Sequence, residues 1–219
     1  MIEYTIFVTT SSTETAHDEA IAHLRAADPV LSRIIDAVGP CRLRRDPNHF
    51  YALFSSIVSQ QISVRAAAAV MRRVEILFPP DEGPTALRVV ALGLEPLRAA
   101  GLSGQKARYV LDLAGHVADG QLDLDHLSGL GDEEVIAELA QVKGIGRWTA
   151  EMFLIFSLGR PDVLPVDDLG FRTALKRHYE LGGLPGRDES RARGAAWAPY
   201  RTVATWYLWR SLNNAPGER

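Results

Sequence analysis

The sequence predicts an almost entirely α-helical protein. Apolar residues recur at helical spacing along most of its 219 positions. Glycines and prolines punctuate those stretches. Beyond the first ten residues, no run alternates apolar and polar side chains as a half-buried strand does.

Taken in order, residues 2–9 (IEYTIFVT) are β-branched and aromatic and predict at most one short N-terminal strand. Residues 18–38 read as helix, interrupted near Pro29. Residues 48–78 predict two helices meeting near Gln60–Ser63. In the first, Phe50, Leu53, Phe54, Ile57 and Val58 repeat at i, i+3, i+4, i+7 and i+8. In the second, Ala66–Ala69 are strong helix formers. Pro79–Pro84 is a loop, and shorter helices follow, punctuated by Gly93, Gly101, Gly115, Gly120 and Gly129–Gly131. Asp132 is the expected N-cap of a helix over 132–141. Residues 147–158 predict the next helix, and two prolines keep 160–166 extended or turning. Residues 168–179 and 197–212 are again helical. Residues 182–194, rich in Gly and Arg, are expected to form a mobile loop.

Composition narrows the function. Hydrophobic residues make up 47% and charged residues 23%, ordinary values for a globular chain. The single cysteine, Cys41, excludes a disulfide framework and any all-cysteine zinc or iron–sulfur site. The six histidines show no metal-ligand spacing, so no catalytic metal is expected. No run approaches the roughly 18 apolar residues of a membrane span, and MIEYTIFVTT lacks a basic n-region. The expected compartment is therefore the cytoplasm, or the nucleoid in a bacterium. A net charge of −3 argues mildly against nucleic acid as a partner. The basic residues are nevertheless gathered at 42–45, 72–73, 143–147, 172–177 and 187–201.

Two segments carry chemistry. Val142-Lys143-Gly144-Ile145-Gly146-Arg147-Trp148-Thr149 lies between two helical patterns. A dinucleotide fingerprint would need a preceding strand and a third glycine at 149, and a P-loop would need Gly-Lys-Ser/Thr. What remains is a helix–hairpin–helix, with Lys143 and Arg147 beside a helix start whose N–H groups suit a phosphate. A plain αα-corner with a glycine cap is the alternative. A second break, at 97–110 with Gly101, Gly104, Lys106 and Arg108, reads equally as an ordinary helix connection. Asp167 and Asp168 stand together at a predicted helix start. One acid there is explained by capping; two exceed that need and leave one for a cleft, although capping alone also accounts for the pair.

Together these features resemble the helix–hairpin–helix, Gly/Pro-Asp (HhH-GPD) superfamily of DNA glycosylases, in its alkyladenine branch, the 3-methyladenine DNA glycosylase II type. The residues that carry the resemblance are VKGIGRWTAEMFLIFSLGRPDVLPVDDLGFR (142–172), supported by IVSQQISVRAA (57–67), LRAAGLSGQKARYVLDLA (97–114) and WAPYRTVATWYLWR (197–210). It spans roughly residues 20–212.

The resemblance implies two helical subdomains with an active-site cleft between them. One is residues 49–160 with the hairpin, the other 17–48 plus 161–219, preceded by a segment over 1–16. It implies that Asp168 is the catalytic aspartate and Asp167 its neighbour and cap. Trp148, Met152 and Trp209 fall at base-pocket positions, Met152 where some members carry an aromatic residue. Gln60 and Gln61 resemble residues that fill the gap left by a flipped base, although a polar helix end meeting solvent explains them too. Ser63, Lys143, Gly144, Gly146, Arg147 and Thr149 complete the expected DNA contacts. Trp148 stands where bifunctional members carry a Schiff-base lysine, which implies a monofunctional enzyme without a lyase step. No cofactor is required, though the hairpin carbonyls are expected to hold a structural monovalent cation, as in the family.

The expected function is excision of alkylated bases, of the 3-methyladenine and 7-methylguanine type, from duplex DNA in base excision repair. The chain is expected to act as a monomer away from membranes. The rivals are a glycosylase of the same fold for another lesion, a non-catalytic DNA-binding module, and a bland helical scaffold. The last must treat the hairpin, the aspartate pair and the tryptophans as coincidence.

Overall fold

A computed structural model describes residues 17–79 and 82–213. Among these residues there are twelve α-helices and no strand. The strand expected at 2–9 lies outside the described residues. In chain order the helices are α1 (Asp18–Ala27), α2 (Pro29–Val38), α3 (His49–Ser59), α4 (Val64–Glu75), α5 (Ala86–Leu92) and α6 (Leu94–Ala99). They continue with α7 (Gly104–Ala118), α8 (Asp132–Leu139), α9 (Arg147–Phe153), α10 (Leu169–His178), α11 (Arg187–Gly194) and α12 (Arg201–Asn213).

The described chain forms two compact units, one over Asp46–Leu158 and one over 17–45 with 159–213. The first holds α3–α9 around buried Leu53, Phe54, Ile57, Val89, Val110 and Leu139. Its elements begin where short polar side chains satisfy helix-start amides. Asn48 accepts from Tyr51 N at 3.0 Å, Ser63 from Ala66 N at 3.3 Å, and Ser103 from Lys106 N at 3.2 Å.

The second unit packs α1, α2, α10 and α12 around Leu24, Leu31, Ile35, Phe171, Trp197 and Tyr207. Asp28 organises it. Pro29 starts α2, and Asp28 Oδ1 accepts from Val30 N at 2.8 Å and Leu31 N at 3.2 Å. Its Oδ2 accepts from Tyr179 Oη at 2.6 Å and from the buried Trp197 Nε1 at 2.9 Å. One carboxylate thus caps α2 and satisfies two donors that packing has taken from water.

Several expectations are corrected. Asp132 is the first helical residue of α8; the cap is Gly131, whose N–H donates to Glu134 Oε2 at 2.7 Å. The helix over 147–158 is α-helical only to Phe153 and then widens to a π-turn over Leu154–Leu158. Ser157 Oγ there bonds out to Asp46 O at 3.0 Å and pairs with His49 Nδ1 at 2.8 Å. Residues 187–194 form a helix rather than a loop. Asp188 and Glu189 sit in its first turn and Arg191 and Arg193 in its last, which suits the helix dipole. Pairs at 3.0 Å (Asp188–Arg191) and 3.5 Å (Glu189–Arg193) join the two ends. Trp197 belongs to a 3₁₀ turn ahead of α12, which begins only after Pro199.

Candidate active site and nucleic-acid interface

The hairpin turn lies in the first unit, between α8 and α9. Gly144 has φ +88°, in the left-handed region, and a Cβ there would overlap the Tyr109 ring of α7. Gly146 has φ −101° and ψ 177°, which any residue adopts, and open space where a Cβ would stand. The first glycine is needed to fold the turn against α7. The second leaves its outer side clear. Ile145 N donates to Val142 O at 3.1 Å and closes the turn, and Gly146 O then accepts the first bond of α9 from Ala150 N at 3.0 Å. First-turn amides of a helix have no carbonyl one turn earlier, which makes the start of α9 a suitable place for an anion.

The two hairpin cations are each held by an acid of the same unit. Lys143 Nζ lies 3.1 Å from Asp112 Oδ1, and Lys143 N donates to Asp112 Oδ2 at 2.8 Å. Arg147 forks onto Glu133 through Nη1 and Nη2 at 2.9 and 2.5 Å. Burial pushes the Asp112 carboxyl up, but the Lys143 amide and ammonium together pull it below the usual range. The Arg147 hydrogen bond holds Glu133 low as well. The positive charge that the sequence places at the hairpin is therefore largely balanced on the spot, and its main chain, rather than its side chains, is the feature suited to a phosphate.

Gln60 and Gln61 separate. Gln60 ends α3 and turns inward, its Nε2 donating to Gly144 O at 2.9 Å. Gln61 is exposed, with φ +55°. Ser63 is exposed and caps α4. Lys106, in the second glycine-punctuated stretch, does not reach outward; its Nζ donates to Val58 O at 2.7 Å at the end of α3. Thr149 is buried in the first turn of α9. Trp148 is half-buried. Met152 is buried and, with Thr149, Ser56 and Phe153, lines a cavity of about 30 Å³.

The aspartate pair lies in the second unit, and the cap expected of Asp167 is made by Asp168 instead. Asp168 is the N-cap of α10, its Oδ1 accepting from Phe171 N at 2.6 Å. The same oxygen accepts from Trp209 Nε1 at 2.7 Å. Asp167 caps nothing; its Oδ1 accepts from Arg187 Nε of α11 at 2.6 Å. That hydrogen bond, with the nearby Arg172 and Arg191 charges, holds its carboxyl below the ordinary aspartate range. Gly170 makes room for the Asp168 arrangement, since a Cβ there would stand 3.2 Å from Asp168 Oδ1 and 3.2 Å from Trp209 Cδ1. Two donors on one oxygen, Phe171 N and Trp209 Nε1, fix the plane of the Asp168 carboxylate.

Sequence reasoning missed the bond from Trp209 to Asp168, the link from Gln60 to the hairpin, and the part played by Tyr109 and Asp112. One signal was present: Lys106, Tyr109 and Asp112 recur at i, i+3 and i+6, along one side of α7. Trp206 is in the core.

The chain is 33% identical over 201 residues to DNA-3-methyladenine glycosylase 1 of Schizosaccharomyces pombe, covering 90% of this chain and 88% of that one. A solved structure of the S. pombe 3-methyladenine DNA glycosylase Mag1 in complex with abasic DNA superposes with a TM-score of 0.79 at 34% identity, covering 87% of this chain and 95% of that chain. A DNA-3-methyladenine glycosidase from Bacillus halodurans superposes with a TM-score of 0.78 at 41% identity, covering 88% and 89%. The family model for HhH-GPD superfamily base excision DNA repair proteins matches residues 54–199. With the hairpin and the capping aspartate both inside that match, the chain belongs to the HhH-GPD superfamily of base excision DNA repair proteins.

Proposed function

We propose that this chain is a monofunctional DNA glycosylase that flips an alkylated purine, of the 3-methyladenine or 7-methylguanine type, out of duplex DNA and hydrolyses its N-glycosidic bond. The observation that carries this is the Asp168 carboxylate, held by Phe171 N and Trp209 Nε1 at the start of α10. A module that only bound DNA would need the hairpin but no oriented carboxylate.

The chain's residues divide the work. The start of α9 and the glycine turn hold a phosphate by main-chain N–H groups. A base within the stack is out of reach, so it is flipped at a cost of a few kcal/mol, least for a damaged base. Gln61, exposed at the tip between α3 and α4, enters the gap. Alkylation at purine N3 or N7 leaves the base cationic, and the half-buried Trp148 indole offers a stacking face worth roughly 0.5–2 kcal/mol to a cation. As the glycosidic bond breaks, positive charge grows at C1′, and the Asp168 carboxylate stabilises it and orients the incoming water. The cationic base departs neutral and needs no metal to assist it.

A lyase step is not part of this reading. Trp148 occupies the position where the bifunctional pattern has a lysine, and Lys143 is committed to Asp112. A monovalent cation suits the hairpin because its turn presents main-chain carbonyl oxygens. The carbonyls of Val142, Gly144 and Gly146 already accept from Ile145 N, Gln60 Nε2 and Ala150 N, which leaves those of Lys143 and Ile145 as the ones that would hold the cation. Among the described residues no group of three or more His, Cys, Asp or Glu is placed to hold a metal, and no helix is long and apolar enough to cross a membrane. A duplex DNA partner is consistent with work in the cytoplasm, at the nucleoid in a bacterium.

The test is incubation with duplexes carrying methylated, deaminated or oxidised bases, with released bases resolved by chromatography and strands by denaturing gel. Release of 3-methyladenine or 7-methylguanine, with strands intact until alkali is added, is expected. Release of only neutral deaminated or oxidised bases would move the chain to another lesion. Strand scission without alkali would refute the monofunctional reading.

A further inference from the structure

Gln60 and Gln61 are adjacent, yet the structure gives them opposite environments, and this difference carries a division of labour. Gln61 is exposed and held at φ +55°, in the left-handed region that favours glycine. The position favours glycine, yet it carries a side chain that reaches solvent. Gln60, by contrast, spends its amide on Gly144 O, 84 positions along the chain, at 2.9 Å.

The turn that presents Gln61 is also clamped from below by one helix. On α7, Lys106 Nζ donates to Val58 O at 2.7 Å, where α3 runs out of internal donors. One turn later Tyr109 lies against Gly144, with its hydroxyl accepting from Gln105 Nε2 at 2.6 Å. One turn later again Asp112 takes Lys143 N at 2.8 Å. A single row on α7 therefore fixes both the end of α3 and the hairpin, and Gln60 closes the triangle by joining the two directly.

We infer that Gln60 is a positioning residue for Gln61: it ties the turn bearing the gap-filling side chain to the phosphate-binding hairpin, so that docking of the hairpin sets the depth at which Gln61 enters the duplex. This rests on the flipping mechanism proposed above. It removes Gln60 from the set of groups that touch DNA and makes its effect pass wholly through Gln61.

A double-mutant cycle tests it. The readout is the ratio of dissociation constants for an undamaged duplex and the same duplex with a tetrahydrofuran abasic analogue, measured by anisotropy. Gln61→Ala is expected to reduce the preference for the abasic duplex about tenfold, the worth of a lost hydrogen-bonding contact in a closed site. Gln60→Ala is expected to reduce it comparably while leaving undamaged-duplex affinity within twofold. In the Gln61→Ala background, Gln60→Ala is expected to change nothing further. Gln60→Met keeps the size and adds no charge but lacks the amide donor to the Gly144 carbonyl, and is expected to behave like Gln60→Ala. If Gln60→Ala lowers Tm, Gln60→Met takes its place in the cycle.

Additive losses, or an equal loss on undamaged duplex, would overturn the inference. A wild-type protein that releases alkylated bases but shows no dependence on Gln61 would overturn it as well. Wild-type failure to release any base would instead refute the glycosylase reading, and the cycle on the abasic duplex would still decide the role of Gln60.

Discussion

At the scale of single residues, the candidate chemistry rests on Asp168 and on the two groups that hold it. Its Oδ1 accepts from Phe171 N and Trp209 Nε1, so the cap of α10 and the candidate catalytic carboxylate are one residue. The residues alone show two acids at a helix start, and the family resemblance gives catalysis to Asp168 and the cap to Asp167; the structure gives the cap to Asp168 as well. Its second partner, Trp209, lies forty-one positions away, and only the folded chain brings it there. The neighbouring Gly170 gives a sharp test, because an added methyl would press on Asp168 Oδ1 and Trp209 Cδ1 at 3.2 Å each. Gly170→Ala is expected to keep the fold by circular dichroism and to slow single-turnover base release on the order of tenfold, the effect of a carboxylate displaced by a fraction of an ångström. Unchanged release would mean that the position of the Asp168 plane is not critical.

At the scale of elements, most helices were legible because apolar periodicity, caps and breakers agree. The turn at Gln60–Ser63, the break at Pro29 and the start of α9 after Gly146 all fall where the sequence places them. The helix over Arg187–Gly194 was not legible, since its only buried residues are Ser190 and Gly194 and it carries no apolar stripe; terminal charges and ion pairs carry it instead. The hairpin was legible as a motif but not in its electrostatics, because the acids that balance it lie on α7 and α8. That pairing has a pH signature. Asp112 is depressed in the folded state by Lys143, with His116 also facing it at 3.7 Å, so its contribution is present above the ordinary aspartate value near 3.8 and is lost as pH falls through the lower folded value. Thermal unfolding of wild type and Asp112→Asn is therefore expected to show a constant Tm gap above about pH 5 that narrows below about pH 4. A gap independent of pH would assign the role of Asp112 to shape rather than charge.

At the scale of the whole molecule, a chain of net charge −3 belongs to a family of DNA repair proteins. Lys143 and Arg147 are paired with Asp112 and Glu133, so the feature of the hairpin suited to a phosphate is its main chain. The family was legible because the hairpin, the aspartate pair and the flanking stretches occur in one order along the chain. The burial of Thr149 and the inward turn of Gln60 were not, since each depends on a neighbour distant in sequence. The central claim is that Asp168 carries base release. The most direct measurement is single-turnover release of 7-methylguanine and 3-methyladenine from methylated duplex DNA by wild type, Asp168→Asn and Asp167→Asn, with duplex affinity measured alongside. Asp168→Asn keeps the cap's acceptor and is expected to bind DNA while losing release by at least about a hundredfold, the scale of removing one electrostatic group aimed at a transition state, with Asp167→Asn retaining it; an active Asp168→Asn beside an inactive Asp167→Asn would contradict the account.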